Sequence, residues 1–225
     1  DGTVVAWGDD AHGQSTVPPD LRPAVQVATG YGHTVALHAD GTITAWGLNL
    51  SGQTTIPPDL GLVRQIAAGA FHTAALLADG TVAAWGLNDA GQTNVPPDLR
   101  NVVQIAARGR HTVALKADGT LVAWGANANG QITLPAGLTD VVQVATGPNH
   151  TLVLQGSDLI QAVGWGNNVA GEITFDTELL AVQQVAGGLY HSLALQRDGT
   201  LVAWGDNRTG QRDVPPDLAD VAQVA

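Results

Sequence analysis

Residues 25–60 read VQVATGYGHTVALHADGTITAWGLNLSGQTTIPPDL, and the rest of the chain repeats this pattern. Val25-Gln26-Val27-Ala28 alternates as a strand does, and Thr29-Gly30 breaks it. His33 to Leu37 forms a second short run, closed by Ala39-Asp40-Gly41, a tight Asp-Gly hairpin signal. Thr42 to Trp46 is a third run. Gly47 to Gln53 then turns into a short fourth, which ends on Pro57-Pro58, a pair incompatible with helix. Four short strands per unit is the blade of a β-propeller.

The same unit recurs along the whole chain. Trp-Gly pairs begin at Trp7, Trp46, Trp85, Trp124, Trp165 and Trp204, at offsets of 39, 39, 39, 41 and 39. His33, His72, His111, His150 and His191 keep step at 39, 39, 39 and 41. Both ladders carry one two-residue insertion, between His150 and Trp165. A period near forty with strand content means units that bury their faces only against neighbours. The expectation is one all-β domain over residues 1–225: a β-propeller of six sequential four-stranded blades, each of about 39 residues. The repeat units fall near 1–39, 40–78, 79–117, 118–157, 158–197 and 198–225.

The register leaves one blade incomplete. The chain opens on a Trp-type segment, Thr3 to Trp7, and ends on a first-strand segment, Val221 to Ala225, with no His strand to join them. A continuation past Ala225, in a larger or seven-bladed propeller, is expected to supply a Gly-x-x-His-Thr strand; otherwise the open first blade pairs with another chain. All six Trp residues are expected in the core, with the small residue before each letting adjacent sheets close.

Composition narrows function. Twenty acidic residues against nine basic ones give a formal charge of −11, which disfavours nucleic acid and anionic membranes. No apolar run reaches the roughly 20 residues of a membrane span. There is no Cys, so thiolate metal sites, Cys nucleophiles and disulfides are excluded. One His per repeat spreads the imidazoles out, whereas a metal needs several ligands at one point, so no metal or cofactor is expected. The Asn or Asp after each Trp-Gly reads as a turn cap. Nucleophile-elbow and phosphate-loop motifs are absent, so an enzyme with a central cleft is the least supported reading.

The informative positions are the two before each His: Tyr31-Gly32, Ala70-Phe71, Gly109-Arg110, Pro148-Asn149 and Leu189-Tyr190. They vary while the frame around them stays constant, as binding loops do. Tyr31, Phe71 and Tyr190 take three of the four aromatics that are not Trp, and Phe175 is the fourth. Arg108 stands where four other copies have Gly30, Gly69, Gly147 and Gly188. That glycine is expected to serve a positive-φ turn, and Arg110 has Asp89 as a candidate ion-pair partner. The candidate protein-binding residues are therefore Tyr31, Phe71, Arg108, Arg110, Asn149, Leu189 and Tyr190, emerging on one rim.

The stretch VVQIAARGRHTVALKADGTLVAWGANANGQ, residues 102–131, resembles the regulator-of-chromosome-condensation repeat, and the resemblance covers the chain. The compact spacing and the GQTTIPP ending look closest to bacterial members of the beta-lactamase-inhibitor type. The resemblance implies seven-bladed propellers that bind proteins without catalysis, and a bacterial extracellular, periplasmic or cell-surface setting. It also implies contacts from the pre-His slot and the loop after Trp-Gly, here Asp9, Leu48, Leu87, Asn88 and Arg208. The function expected is a protein-protein interaction module, with a secreted inhibitor of the beta-lactamase-inhibitor type as the alternative.

Overall fold

A computed structural model describes residues 1–156, 160–175, 179, 181–218 and 220–224. Its regular structure is all strand. The first sheet is β1 (Ala24–Thr29), β2 (His33–His38) and β3 (Ile43–Gly47). The second is β4 (Val63–Ala68), β5 (His72–Leu77) and β6 (Val82–Gly86), and the third β7 (Val102–Arg108), β8 (His111–Lys116) and β9 (Leu121–Gly125). The fourth is β10 (Val141–Thr146), β11 (His150–Gln155) and β12 (Gln161–Gly166), and the fifth β13 (Val182–Gly187), β14 (His191–Gln196) and β15 (Leu201–Gly205). The chain divides into two compact units, residues 1–114 with 124–126, and residues 115–123 with 127–225.

Each sheet is an antiparallel meander with the His strand in the middle, as in Ala28↔Val35 and Thr34↔Trp46. The turn between β2 and β3 is a three-residue hairpin loop, not a two-residue Asp-Gly turn. His38 N–H donates to Thr42 O, Gly41 takes φ +81°, and the Asp40 carboxylate accepts from Thr42 N–H and Oγ1–H. The insertion between His150 and Trp165 falls at 157–159, outside the described residues.

Where four strands per repeat were expected, the described residues give three. The Gly-Gln segment after each Trp strand is a turn, because its main chain is committed elsewhere. The Gln53 carbonyl accepts from both Trp85 Nε1–H, at 3.1 Å, and Thr73 Oγ1–H, at 2.8 Å, in the next repeat. The following Pro57-Pro58 has no N–H to offer a ladder.

The core of the first unit lies between sheets. Val35 and Leu37 of the first pack on Val63, Ile66, Ala75 and Trp85 of the second. In the second unit Leu152 and Leu154 pack on Val182, Val185, Ala194 and Trp204 in the same way, and Phe175 rests on Trp204 with ring centroids 5.0 Å apart.

Burial of all six Trp residues does not hold. Trp46, Trp85, Trp124, Trp165 and Trp204 are buried, but Trp7 is 84% exposed, and neither residues 3–7 nor 221–224 form a strand. The reason is pairing. Each buried Trp lies on a strand laid against a His strand, whereas among the described residues none pairs with residues 3–7 as a strand.

Candidate functional site

The loops that carry the variable residues are fixed by three kinds of link between neighbouring sheets. The first is a glutamine clamp. Gln26 Nε2–H donates to Ile66 O, and Gln26 Oε1 accepts from Ile66 N–H, at 3.0 and 2.9 Å. Gln65 does the same to Ile105, and Gln184 to Val224. A side-chain amide thus stands in for one residue of a strand ladder, which is why Val-Gln-Val-Ala recurs. The sequence reading did not assign these glutamines a role, although their fixed place in each first strand was the available signal.

The second link is the histidine. His33 Nε2 lies 3.1 Å from Thr73 Oγ1 and His72 Nε2 lies 2.9 Å from Thr112 Oγ1; in the second unit His150 Nε2 lies 3.1 Å from Ser192 Oγ. Thr73 spends its single hydrogen on Gln53 O, so His33 must donate from Nε2, and its Nδ1 is an unprotonated, buried nitrogen without a partner. Burial pushes the pKa of His33 and of His72 down to about 4. The third link is the Gln53 carbonyl already described. The histidines therefore hold adjacent repeats together, and do not merely brace the turns before their own strands.

The glycine three residues before each His is kept for space, not for φ. Gly30, Gly69, Gly147 and Gly188 are not in the positive-φ region, but a Cβ there would lie 2.0–2.2 Å from the Cε1 of the following His ring. At Arg108 the third repeat solves this differently. Strand β7 runs one residue further, through Arg108, and Gly109 takes φ +55°.

On this frame the pre-His slots of the first unit stand side by side. Tyr31 N–H donates to Ala70 O at 3.0 Å, and Ala70 N–H donates to Gly109 O at 2.7 Å. The Tyr31 and Phe71 rings meet with centroids 5.6 Å apart and planes at 51°. Tyr31 is 74% exposed, Phe71 partly so, and Arg108 and Arg110 are exposed as residues, although packing around the Arg108 guanidinium desolvates it and lowers its pKa. Arg110 pairs with Asp89, whose carboxyl is held below its ordinary pKa by Arg110 first and by Gln92 next.

The two loop groups meet. From Trp46 onward the residue after Trp-Gly donates its N–H to the carbonyl of the residue before His: Leu48 to Gly32 at 2.7 Å, Leu87 to Phe71 at 2.8 Å. The Trp-Gly glycine makes this possible. Gly47 takes φ +95°, and a Cβ there would lie 2.5 Å from Gly32 O. Leu48 and Leu87 are half-buried, whereas Asn88 is a turn cap, its Oδ1 accepting from Thr93 N–H. Asp9 is exposed and accepts from Ala11 N–H and Gln14 Nε2–H. Leu50, 89% exposed, was missed by sequence reading. Its slot, four residues after the Trp, reads Ala11, Leu50, Asp89, Ala128, Val169 and Arg208, so the variability that singled out the pre-His slot was present there too.

In the second unit Leu189 and Tyr190 are exposed, at 54% and 41%, and Asn149 is half-buried. Tyr190 O accepts from Asp206 N–H at 2.7 Å, and the Asp206 carboxylate accepts from Arg208 Nε–H at 2.9 Å. Among the described residues no three His, Asp or Glu side chains gather as a metal site would need.

A family model described as "Regulator of chromosome condensation (RCC1) repeat" matches residues 24–53, 63–92, 102–131 and 182–211. No curated protein sequence matches the chain. Among solved structures, yeast (Saccharomyces cerevisiae) Prp20p, described with its binding properties to Gsp1p and histones, is similar at TM-score 0.72 and 24% identity over 89% of this chain. Yeast RCC1 (Prp20) with Kap60 bound is similar at TM-score 0.73 and 22% identity, with 96% of this chain and 68% of that one covered. The ectodomain of the Physcomitrella patens receptor kinase CR4 is similar at TM-score 0.72 and 21% identity over 89% of this chain. The chain spans 61% of the first of these and 55% of the CR4 ectodomain. The likeness shows the fold, a β-propeller repeat architecture.

Proposed function

This chain belongs to the regulator of chromosome condensation repeat family, and from that premise we propose that it is a non-catalytic protein-binding module acting through its pre-His loops. The observation that carries the reading is the cluster of Tyr31, Phe71 and Arg110. One aromatic pair and one guanidinium stand on adjacent loops whose main chains are bonded to one another and to a constant frame. Aromatics and Arg are the residues that dominate binding energy at protein interfaces, and here their loops are held in place before a partner arrives. Leu50, 89% exposed in the loop after Trp46, is a further apolar candidate. Leu189, Tyr190 and Arg208 provide a second surface of the same composition on the other unit.

The similar yeast protein Prp20 is described by its binding to Gsp1p and histones and in a structure with Kap60 bound, so protein recognition is within the repertoire of this fold. The partner of this chain is a protein offering an apolar patch for the aromatic pair. With a net charge of −11, nucleic acid is not its target.

The test is affinity capture on the immobilised full chain with quantitative mass spectrometry, run in parallel with the Tyr31→Ala, Phe71→Ala double variant. A protein enriched on the wild type and reduced roughly tenfold or more on the variant supports the reading. Equal capture by both, with circular dichroism unchanged, overturns it.

A further inference from the structure

One position closes every loop that follows a Trp-Gly pair, as Gln14, Gln53, Gln92, Gln131, Glu172 and Gln211. Its bonding partner is a residue of that loop. Gln14 Nε2–H donates to the Asp9 carboxylate, and Gln92 Nε2–H to that of Asp89, each at 3.1 Å. In the fifth repeat the roles reverse. Glu172 is fully buried there, and Asn167 Nδ2–H donates to its Oε1 at 2.6 Å. The second repeat breaks this pattern. Gln53 Oε1 accepts from Ser51 N–H at 3.0 Å, which fixes how the amide is turned, but Gln53 Nε2 is buried with no acceptor. Among the described residues it is the only nitrogen of this glutamine set in that state. The slots that supply Asp9 and Asp89 hold Leu48 and Leu50 in this repeat.

The third repeat shows the same arrangement with its acceptor in place. Asp89 uses Oδ1 on Gln92 and Oδ2 on Arg110. One repeat earlier, the corresponding place lies between Gln53 and Phe71. The frame around the two is alike. A Cβ on Gly125 would lie 2.5 Å from Arg110 O and 3.2 Å from Gln92 Cα, and one on Gly86 would lie 2.7 Å from Phe71 O and 3.1 Å from Gln53 Cβ. Leu50 does not fold back as Asp89 does, and its side chain stands out in solvent. A donor buried without an acceptor destabilises the free chain, and an acceptor that arrives with a partner restores the bond.

We propose that Gln53 Nε2 is the hydrogen-bonding centre of the protein contact made by the first unit, and that it takes the uncharged side-chain carbonyl of an Asn or Gln from the partner. The proposal rests on the rim reading and adds the chemistry of the group that the partner presents. The partner's oxygen takes the place on Gln53 that Asp89 Oδ1 has on Gln92. A carboxylate is excluded from this role by charge. Where Arg110 neutralises Asp89, this site has Phe71, and the chain already carries −11. Leu50 and Phe71 give the amide apolar neighbours, so the partner's Asn or Gln is flanked by aliphatic residues.

The probe is the capped tripeptide acetyl-Leu-Asn-Leu-amide, titrated into the isotope-labelled full chain while NMR follows the Gln53 side-chain NH2 and the Leu50 main-chain N–H. Saturable shifts at both are expected, with affinity about tenfold or more lower when the peptide Asn is replaced by Asp or by Leu. Gln53→Glu keeps an acceptor for Ser51 N–H and removes the donor, so the Leu50 shift should disappear; a thermal melt verifies that this variant folds. Leu50→Asp supplies the acceptor that the third repeat has. Its thermal midpoint should rise by about 2–4 °C, and its affinity for the peptide should fall about tenfold or more. No shift up to the solubility limit of the peptide, equal binding of the Leu peptide, or tighter binding of the Asp peptide overturns the proposal. So does an unchanged midpoint in Leu50→Asp, since the amide would then already have its acceptor in the free chain. Partner capture by the Tyr31→Ala, Phe71→Ala variant does not read the Gln53 bond, and the Leu50→Asp midpoint does not read the partner. Failure of the rim reading and failure of this one are therefore separable.

Discussion

His33 and Thr73 lie 40 residues apart in sequence and 3.1 Å apart in space, and their bond has a single allowed direction. Thr73 donates to Gln53 O, so His33 donates to Thr73 and keeps Nδ1 bare and buried against Gly30. The imidazole is therefore neutral in the folded protein by construction.

Acid should destabilise the fold earlier than its carboxylates alone would require. His33 and His72 titrate near 4 when folded and near 6.5 when unfolded. Between those values the unfolded chain binds protons that the folded chain refuses. Stability is thus complete above the unfolded value and lost as pH falls through the window, by up to about 1.4 kcal/mol per pH unit for each histidine. Urea midpoints at about pH 7 and about pH 5 measure this. The midpoint should fall in acid, and by less in His33→Gln; a midpoint that does not move contradicts the assignment.

Thr73→Val should destabilise by roughly 1–3 kcal/mol, because it leaves a buried imidazole N–H and half of the Gln53 carbonyl's bonding unmet. Thr73→Ser keeps both bonds and should recover most of the loss. Gln65→Ala should cost a similar amount by removing the clamp on Ile105. Chemical denaturation of the three variants ranks them.

Gly69→Ala should be among the most damaging small substitutions in the chain, since its Cβ would fall 2.0 Å from His72 Cε1. At the equivalent third-repeat position the main chain has already rearranged around a side chain. Arg108→Gly should therefore shift stability by less than about 1 kcal/mol. Paired thermal melts test the contrast, and equal losses would mean that ring packing is not what holds glycine at this position.

Phe71→Ala and Tyr31→Ala should each leave folding within about 1 kcal/mol of the wild type, because both rings project from the frame. In the complex each should cost roughly 1–4 kcal/mol, as central interface aromatics do. Calorimetry on the free chain and on the complex separates the two effects.

The strands were legible because their periodicity and their Gly and Pro boundaries are local. The Trp core was legible in five repeats and failed at Trp7, where burial depends on a neighbouring strand and not on the residue. The fourth strand failed for the same kind of reason. Gln53 reads as strand by its spacing, yet its carbonyl is claimed by Trp85 and Thr73 of the next repeat. Gly30 was flagged as constrained but assigned the wrong constraint, since a sequence does not show which ring will lie on it. Tyr31, Phe71 and Arg110 stand out by variation between copies, and the ion pair of Arg110 with Asp89 that the sequence offered is formed. Leu50 shares its slot with Arg208, but a lone Leu beside a capping Asn carries no local sign of exposure.

The glutamine clamp reaches for main-chain atoms, and every first strand has those. Gln26 would satisfy Ile105 as readily as Ile66, and His33 would donate to the hydroxyl of Thr112 as readily as to that of Thr73. The docking chemistry is thus degenerate, and a sheet has no bond that distinguishes its proper neighbour from the next one along. Correct order then rests on the tether: the stretch from Gly47 to Val63, stiffened by Pro57-Pro58 and folded into turns by Gly52 N–H to Asn49 O and Thr55 N–H to Gly52 O, keeps the adjacent sheet nearest. Lengthening that stretch with flexible residues would leave every native contact intact and still admit skipped-neighbour misfolds, a kinetic fault written into the symmetry.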